Sequence, residues 1–177
     1  MRASVTLDSL KAALVLFVAV LVQVSVLSAY TPFGGTTDLV LVTLLAIALL
    51  RGSIFGATAG FGAGLLVDTA NLGTLGFTSL LLTLAGFWIG RYGETTARDR
   101  FHAPFTSVGV VTVLYAFGVL GLRFVLGDSA PAGAALAALP ASVLLNLLLT
   151  WPVYPLVRRL FPSHEYAARV HEVRLLG

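Results

Sequence analysis

The sequence contains no cysteine and carries little charge. Without cysteine, neither a disulfide nor a thiolate metal site nor thiol chemistry can contribute, and the redox compartment leaves no mark on the sequence. Charged residues make up 11% of the chain, where about 25% is usual in soluble domains. Hydrophobic residues make up 58%, and 18 of the 177 residues are glycine. This composition excludes an ordinary water-soluble globule and predicts one polytopic transmembrane domain over residues 1–177.

Motifs of enzyme chemistry are also missing. His164-Glu165 and His171-Glu172 each begin like a zincin motif, but the second histidine is absent from both. The chain has no phosphate-binding loop, no nucleophile elbow and no close carboxylate pair in its apolar part. We therefore expect no catalytic residues, no cofactor and no metal. The excess of 11 Lys and Arg over 8 Asp and Glu is first an orientation signal in a membrane protein, and we expect no nucleic-acid partner.

The sequence predicts six transmembrane helices, which cover residues 12–27, 39–50, 53–67, 75–89, 105–126 and 134–157. The second and third are short because Arg51-Gly52 interrupts the apolar stretch 39–67. As one helix this stretch would be about 44 Å long, against a hydrocarbon core of about 30 Å. Two helices place Arg51 in a turn at the surface, whereas one helix would bury it at the membrane centre. Short membrane helices need longer neighbours or a thinned bilayer, so we expect an irregular all-α bundle.

The distribution of basic residues predicts the orientation. With six helices and the N-terminus inside, ten of the 11 basic residues face the cytoplasm and only Arg123 lies toward the outer side. Both termini are therefore expected in the cytoplasm. The first segment is interpreted as a retained helix, because a cleavable signal needs a small residue where Leu27 stands, three residues before Tyr30. Residues 163–176 are expected to form a cytoplasmic helix that lies on anionic lipid or docks a partner.

Glycine recurs at every fourth position of the third helix, as Gly52, Gly56, Gly60 and Gly64, and Asp68 follows in the same series. In lipid, small residues at this spacing allow two helix backbones to approach closely. Two interpretations stay open at this point. The row packs against another helix of the same chain, or it docks the helix of a partner.

Polar residues near the membrane form two further candidate sites. Asp68 is interpreted as a cap of a helix or turn with Asn71, as an ion-pair partner of Arg123, or as a ligand-binding group. In the last helix, polar residues fall at four-residue spacing on one face, namely Ser142, Asn146 and Thr150. They are interpreted as interhelical hydrogen-bonding groups or as part of a polar pocket with Arg123.

Residues 37–76 carry an extended pattern of glycines and single charges. Its members are Asp38-Leu39, Arg51-Gly52, Gly56, then G-F-x-x-G-L-x-x-D as Gly60, Phe61, Gly64, Leu65 and Asp68, then Leu72-Gly73 and Gly76. The pattern resembles the MreD family of rod shape-determining proteins, which belong to the bacterial cell-elongation machinery. The chain departs from the family at Thr37, where proline is expected before the aspartate.

This resemblance implies a non-enzymatic inner-membrane subunit that organises partners for sidewall peptidoglycan synthesis. The implied partners are membrane lipid, an MreC-type protein, the glycosyltransferase and transpeptidase of the elongation complex and, indirectly, the MreB filament. The family is also similar in topology to the substrate-binding subunits of energy-coupling-factor transporters. The alternative function is therefore that of a vitamin-binding transport subunit, with a polar pocket at Arg123, Ser142 and Asn146.

Overall fold

The computed structural model describes residues 2–27, 35–95, 102–127 and 132–161. In these ranges the regular structure is α-helical, with helices α1 (Arg2–Ser25), α2 (Leu39–Arg51), α3 (Ser53–Ala70), α4 (Phe77–Thr95), α5 (Ala103–Val125) and α6 (Ala132–Leu160). Four helical stretches are long and apolar enough to cross a membrane: Leu7–Ser25, Ser53–Ala70, Ala103–Val125 and Ala132–Leu160. The predicted all-α membrane protein with six helices is confirmed. The predicted C-terminal helix 163–176 lies outside the described residues.

Helix α2 is the centre of the bundle. Every residue from Val40 to Leu50 is buried, and α2 contacts each of the other five helices. A helix surrounded by protein does not have to match the thickness of the hydrocarbon layer, so 13 residues suffice. The sequence predicted that longer neighbours would shelter this short helix, and the structure places them around it.

Helices α3 and α4 form an antiparallel hairpin joined by the turn 71–76. Gly64 opposes Ser79 near one end of the pair, and Gly52 opposes Gly90 near the other. Helix α4 therefore runs along the whole of α3 and reaches both ends of the bundle. It continues to Thr95, beyond the predicted end of the span at residue 89, because its last turns still pack against α2 and α3.

Helix α6 passes through three prolines without a break. Pro140, Pro152 and Pro155 lie inside one continuous helix, although each proline removes a backbone hydrogen bond. In a membrane helix, neighbouring helices and local adjustments satisfy the backbone groups that proline releases, so proline is tolerated there.

Side-chain contacts define two ends of the bundle. The terminal end holds contacting residues near the start of α1 and the end of α6, namely Asp8, Arg51, Ser53, Glu94 and Phe161. The turn end holds the hydrogen-bonded residues Gln23, Val40, Asp68 and Gly76. The first helix, α1, begins at the terminal end, and the last described helix, α6, ends there.

Candidate functional site

The glycine row of α3 lies directly against the backbone of α4. A Cβ added at Gly60 would lie 2.7 Å from the carbonyl carbon of Leu82, and one added at Gly64 would lie 2.5 Å from the amide nitrogen of Ser79. A Cβ at Gly56 would collide in the same way with the carbonyl oxygen of Gly86. These distances are far below a normal van der Waals contact, so no side chain larger than hydrogen fits between the two helices.

Helix α4 contributes its own glycines to this contact. Gly86 opposes Gly56, and Gly90 opposes Gly52. Gly93 packs against the backbone of Leu49 in α2. These residues were not predicted as contact residues, although Gly86 and Gly90 have the same four-residue spacing as the row in α3. That repeated spacing is the signal that pairs the two helices.

The structure thus places the glycine row in an internal interface. Gly56, Gly60 and Gly64 are buried against α4. At these positions α3 therefore offers no free surface on which the helix of a partner could dock. Phe61 differs from the rest of the predicted set, because its side chain is 54% exposed on another face of α3. Only its backbone takes part, since the Phe61 carbonyl oxygen accepts a hydrogen bond from the Ser79 hydroxyl at 2.9 Å.

Asp68 caps the N-terminus of α4 across the turn. Its carboxylate accepts hydrogen bonds from the backbone amides of Gly76 at 2.8 Å, Thr78 at 3.1 Å and Ser79 at 3.4 Å. The first amides of a helix have no partner within the helix and form the positive end of its dipole, so a carboxylate is stabilised there. Of the three interpretations, the structure shows a cap, but one that serves α4 and does not involve Asn71.

Glu94 makes the matching cap at the other end of the hairpin. Its Oε1 accepts hydrogen bonds from the Ser53 amide at 2.7 Å and the Ser53 hydroxyl at 3.0 Å, and Arg91 lies 3.5 Å from the carboxylate. The Ser53 amide, the Ser53 hydroxyl and, more weakly, Arg91 lower the pKa of Glu94. Gly52 (φ 95°) leaves room for the carboxylate, which an added Cβ would strike. Glu94 therefore ties the end of α4 to the start of α3.

Arg51 is buried and not exposed in a turn. Its guanidinium lies 2.9 Å from the carboxylate of Asp8 in α1, and the two side chains are only 8% and 14% exposed. The Phe161 ring covers the other side, 5.4 Å from the guanidinium carbon. The predicted turn exists, but the central position of α2 brings its last residue between α1 and the end of α6, where an acidic partner is present.

The polar row of α6 binds the segment that leads into α2. Asn146 accepts a hydrogen bond from the Asp38 amide at 2.8 Å and donates one to the Thr112 hydroxyl at 3.2 Å. Ser142 accepts a hydrogen bond from the Thr36 amide at 2.9 Å. Ser142 and Asn146 are buried, and their polar atoms are directed at neighbouring backbone and at α5. The structure therefore favours the interhelical hydrogen bonds over the polar pocket.

Two further side chains complete the cap of α2. The Asp38 carboxylate accepts a hydrogen bond from the Leu41 amide at 2.9 Å, and Gln23 of α1 accepts one from the Val40 amide at 2.8 Å. These are amides that lack a partner inside the helix. A helix can begin inside the protein only when such groups are satisfied, so the polar residues explain how α2 occupies the core.

Arg123 belongs to neither polar site. Arg123 is exposed in the last turn of α5. It lies about 16 Å from Thr112 along the helix axis. The predicted ion pair between Arg123 and Asp68 is not formed, because Asp68 binds backbone amides. The expected pocket of Arg123 with Ser142 and Asn146 is not assembled, because Asn146 binds Thr112 and Ser142 binds Thr36, whereas Arg123 is exposed at the end of α5.

A groove of about 380 Å³ lies between α1 and α3. Among the described residues, its walls are mostly apolar side chains such as Ala12, Ala13 and Ala63, with hydroxyl groups at Ser9 and Thr58. Binding sites for polar small molecules usually combine an apolar cavity with several convergent polar groups. The groove has the volume of a ligand site but not its polar groups.

Comparison with protein families gives a match. The sequence model described as rod shape-determining protein MreD matches residues 6–163, a range that includes the glycine row, both carboxylate caps and the polar row of α6. No curated protein and no solved structure matches the chain. The expected similarity to energy-coupling-factor subunits therefore stays a prediction. The match extends over most of the sequence, and the chain belongs to the MreD family of rod shape-determining proteins.

Proposed function

We propose that this protein acts without catalysis, as a subunit of the bacterial cell-elongation complex that organises other membrane proteins. Membership of the MreD family supports a role in rod shape determination. The finer proposal is that the protein holds its partners together for sidewall peptidoglycan synthesis. These partners are an MreC-type protein, the glycosyltransferase and the transpeptidase, with the MreB filament contacted indirectly.

The observation that carries this proposal is the use of the polar residues. Asp68, Ser142 and Asn146 bind backbone amides of the same chain, and Glu94 does the same at the opposite end. Groups held in this way keep helix ends in place and are not available to bind or activate a substrate. Within the described ranges, the residues that looked most like a reactive site thus serve the fold.

The surface that remains is apolar and extends around the bundle. Large exposed side chains include Leu10 and Leu14 of α1, Ile54 and Phe61 of α3, and Trp151 of α6. Lipid covers most of such a surface, and partner helices bind to the rest. The glycine contact and the two carboxylate caps make the α3–α4 hairpin a rigid element, which suits a protein that positions others.

Copurification from native membranes tests the proposal. The tagged protein is expected to recover an MreC-type partner together with the glycosyltransferase and transpeptidase, and an unrelated tagged polytopic protein serves as control. Recovery of an ATPase module, with a tightly held vitamin-sized ligand and without these partners, would replace the proposal by the transport-subunit function.

We propose further that the terminal end faces the cytoplasm of the inner membrane. The chain has no cysteine, so single cysteines can report the side. Ser53 is buried and bound to Glu94, whereas Thr95 at the terminal end and Thr74 at the turn end are exposed. In intact cells, an impermeant thiol reagent is expected to label Thr74→Cys and to spare Thr95→Cys. Labelling of Thr95→Cys from outside would refute this orientation.

A further inference from the structure

The α3–α4 turn carries two leucines that project from the bundle. Leu72 is 93% exposed and Leu75 is 69% exposed. Their neighbours Asn71 and Thr74 are polar and also exposed. Both leucines therefore lie in a polar rim at the turn end, and neither is used in the core of this chain.

The backbone of Leu72 adopts a conformation that leucine disfavours. Its φ is 53°, and among the non-glycine residues of the described chain it alone has a positive φ. The Gly73 amide donates to the Asp68 carbonyl at 3.0 Å, and the Leu72 amide donates to the Thr69 carbonyl at 3.3 Å. This pair of hydrogen bonds is a Schellman motif, in which the residue at the position of Leu72 is usually glycine.

Neither packing nor conformation explains a leucine at this position. An exposed site with positive φ is occupied at lower free energy by glycine or asparagine. The leucine also gains nothing from burial in this chain. A residue that disfavours its own conformation and buries no surface points to a use outside the chain.

The turn holds this leucine in a fixed direction. Asp68 binds the turn on both sides, through its carbonyl oxygen to Gly73 and through its carboxylate to Gly76. Gly76 has a φ of 92°, which allows the chain to turn sharply into α4. The cap that begins α4 therefore also fixes the turn that presents Leu72.

We propose that Leu72 and Leu75 form a preformed docking knob that enters an apolar, uncharged pocket of a membrane-anchored partner protein. The inference rests on the proposed function, because it requires a protein partner. Residues 69–78 contain no charged side chain, so the complementary pocket carries no charge. A hydrophobic centre with a polar rim is the usual anatomy of a small protein interface.

A protein pocket fits these observations better than the lipid interface. Membrane-interface anchors are typically Trp or Tyr, whereas both exposed side chains of this turn are leucine. A rigid presentation has value when the complement has a definite shape, since less conformational entropy is lost on binding. The knob is therefore assigned to a protein partner that reaches the membrane surface at the turn end.

The test compares stability and binding in the same variant. Leu72→Asn is expected to melt at the same temperature as the wild type or higher, because asparagine tolerates positive φ. Its affinity for a purified MreC-type partner in nanodiscs is expected to fall by roughly tenfold to hundredfold, which corresponds to the loss of one buried leucine. Val125→Asn is the matched control, since Val125 is 82% exposed at the end of α5 and is expected to leave binding unchanged.

Several outcomes would overturn the inference. If Leu72→Asn binds the partner as tightly as the wild type, the knob is not part of the interface, while the proposed function is untouched. If Leu72→Trp binds as tightly as the wild type, the leucine is only an interface anchor and not a shaped contact. If the wild-type protein binds neither this partner nor the other elongation enzymes, the proposed function itself fails.

Discussion

Two glycines in α3 offer a sharp test of the α3–α4 interface. Gly60 lies against the backbone of α4, whereas a Cβ added at Gly62 would meet no atom within 4 Å. The two positions are two residues apart in the same helix, and the same substitution, Gly→Ala, can be made at both. The comparison therefore isolates the effect of the contact.

The destabilisation caused by Gly60→Ala follows from the distances between the added methyl group and α4. The methyl group of Gly60→Ala would lie 2.7 Å from the Leu82 carbonyl carbon and 3.1 Å from the Thr83 amide nitrogen. These are backbone atoms of a helix, so the two helices must move apart, and overpacking of this kind costs about 1–3 kcal/mol. Replacing glycine by alanine in a helix gains up to about 1 kcal/mol at both sites. This gain is the same in both variants and cancels when they are compared. The free energy of unfolding of Gly60→Ala should therefore be about 1–3 kcal/mol lower than that of Gly62→Ala.

Thermal unfolding of the purified proteins in one detergent measures this difference. For a chain of this size, 1 kcal/mol corresponds to roughly 2–4 °C in the unfolding midpoint. Gly62→Ala is expected at or slightly above the wild-type midpoint, and Gly60→Ala several degrees below Gly62→Ala. Equal midpoints for the two variants would show that α3 and α4 are not in backbone contact at Gly60.

Three further predictions concern the charged groups. Asp68→Ala removes the acceptor of three backbone amides and should destabilise the protein by about 1.5–3 kcal/mol, measured by thermal unfolding; an unchanged midpoint would mean that the cap is not formed. Arg51→Met and Asp8→Leu should each cost about 3–5 kcal/mol, and the double variant should lose less than either alone, because no unpaired charge stays buried; additive losses would contradict the ion pair. The Ser53 hydrogen bonds lower the pKa of Glu94 in the folded protein below its unfolded pKa of 4.5. The stabilisation by Glu94 is therefore fully present above pH 4.5 and is lost as the pH falls through the lower folded pKa. Glu94→Gln should accordingly flatten the acid limb of a stability–pH profile, and an identical acid limb would refute the cap.

The glycine row shows how far sequence reasoning reaches. Four-residue spacing predicted a close helix contact, and Gly56, Gly60 and Gly64 make one. The spacing carries no information on the opposing helix, because any smooth surface fits a row of glycines. The second row at Gly86 and Gly90 supplied that information, but it becomes evident only when two helices are compared as a pair.

Charged residues were harder to place from the sequence. Arg51 was predicted at the surface because burying a charge in lipid costs free energy. That prediction assumed that lipid surrounds Arg51. In the structure its neighbours are Asp8 and Phe161, which are 43 and 110 positions away in the chain. No local pattern connects residues so distant, so a buried ion pair of this kind becomes visible only in the folded chain.

Of the two interpretations of the polar row of α6, the structure agrees with hydrogen bonding, but the sequence did not indicate the partners. Four-residue spacing placed Ser142 and Asn146 on one face of a helix. It did not show that their partners are the backbone amides of Thr36 and Asp38, which lead into α2. Because backbone groups are the same at every residue, the sequence cannot reveal which amide a side chain will bind.

We propose that the protein holds the elongation complex together and does not catalyse a step in it. The most direct measurement is the amount of MreC-type partner recovered with a tagged glycosyltransferase from membranes, before and after depletion of this protein. Recovery is expected to fall as the protein is lost, the cells are expected to become round, and the wild-type chain is expected to restore both. Unchanged recovery of the MreC-type partner in fully depleted cells would show that the protein does not hold the complex together.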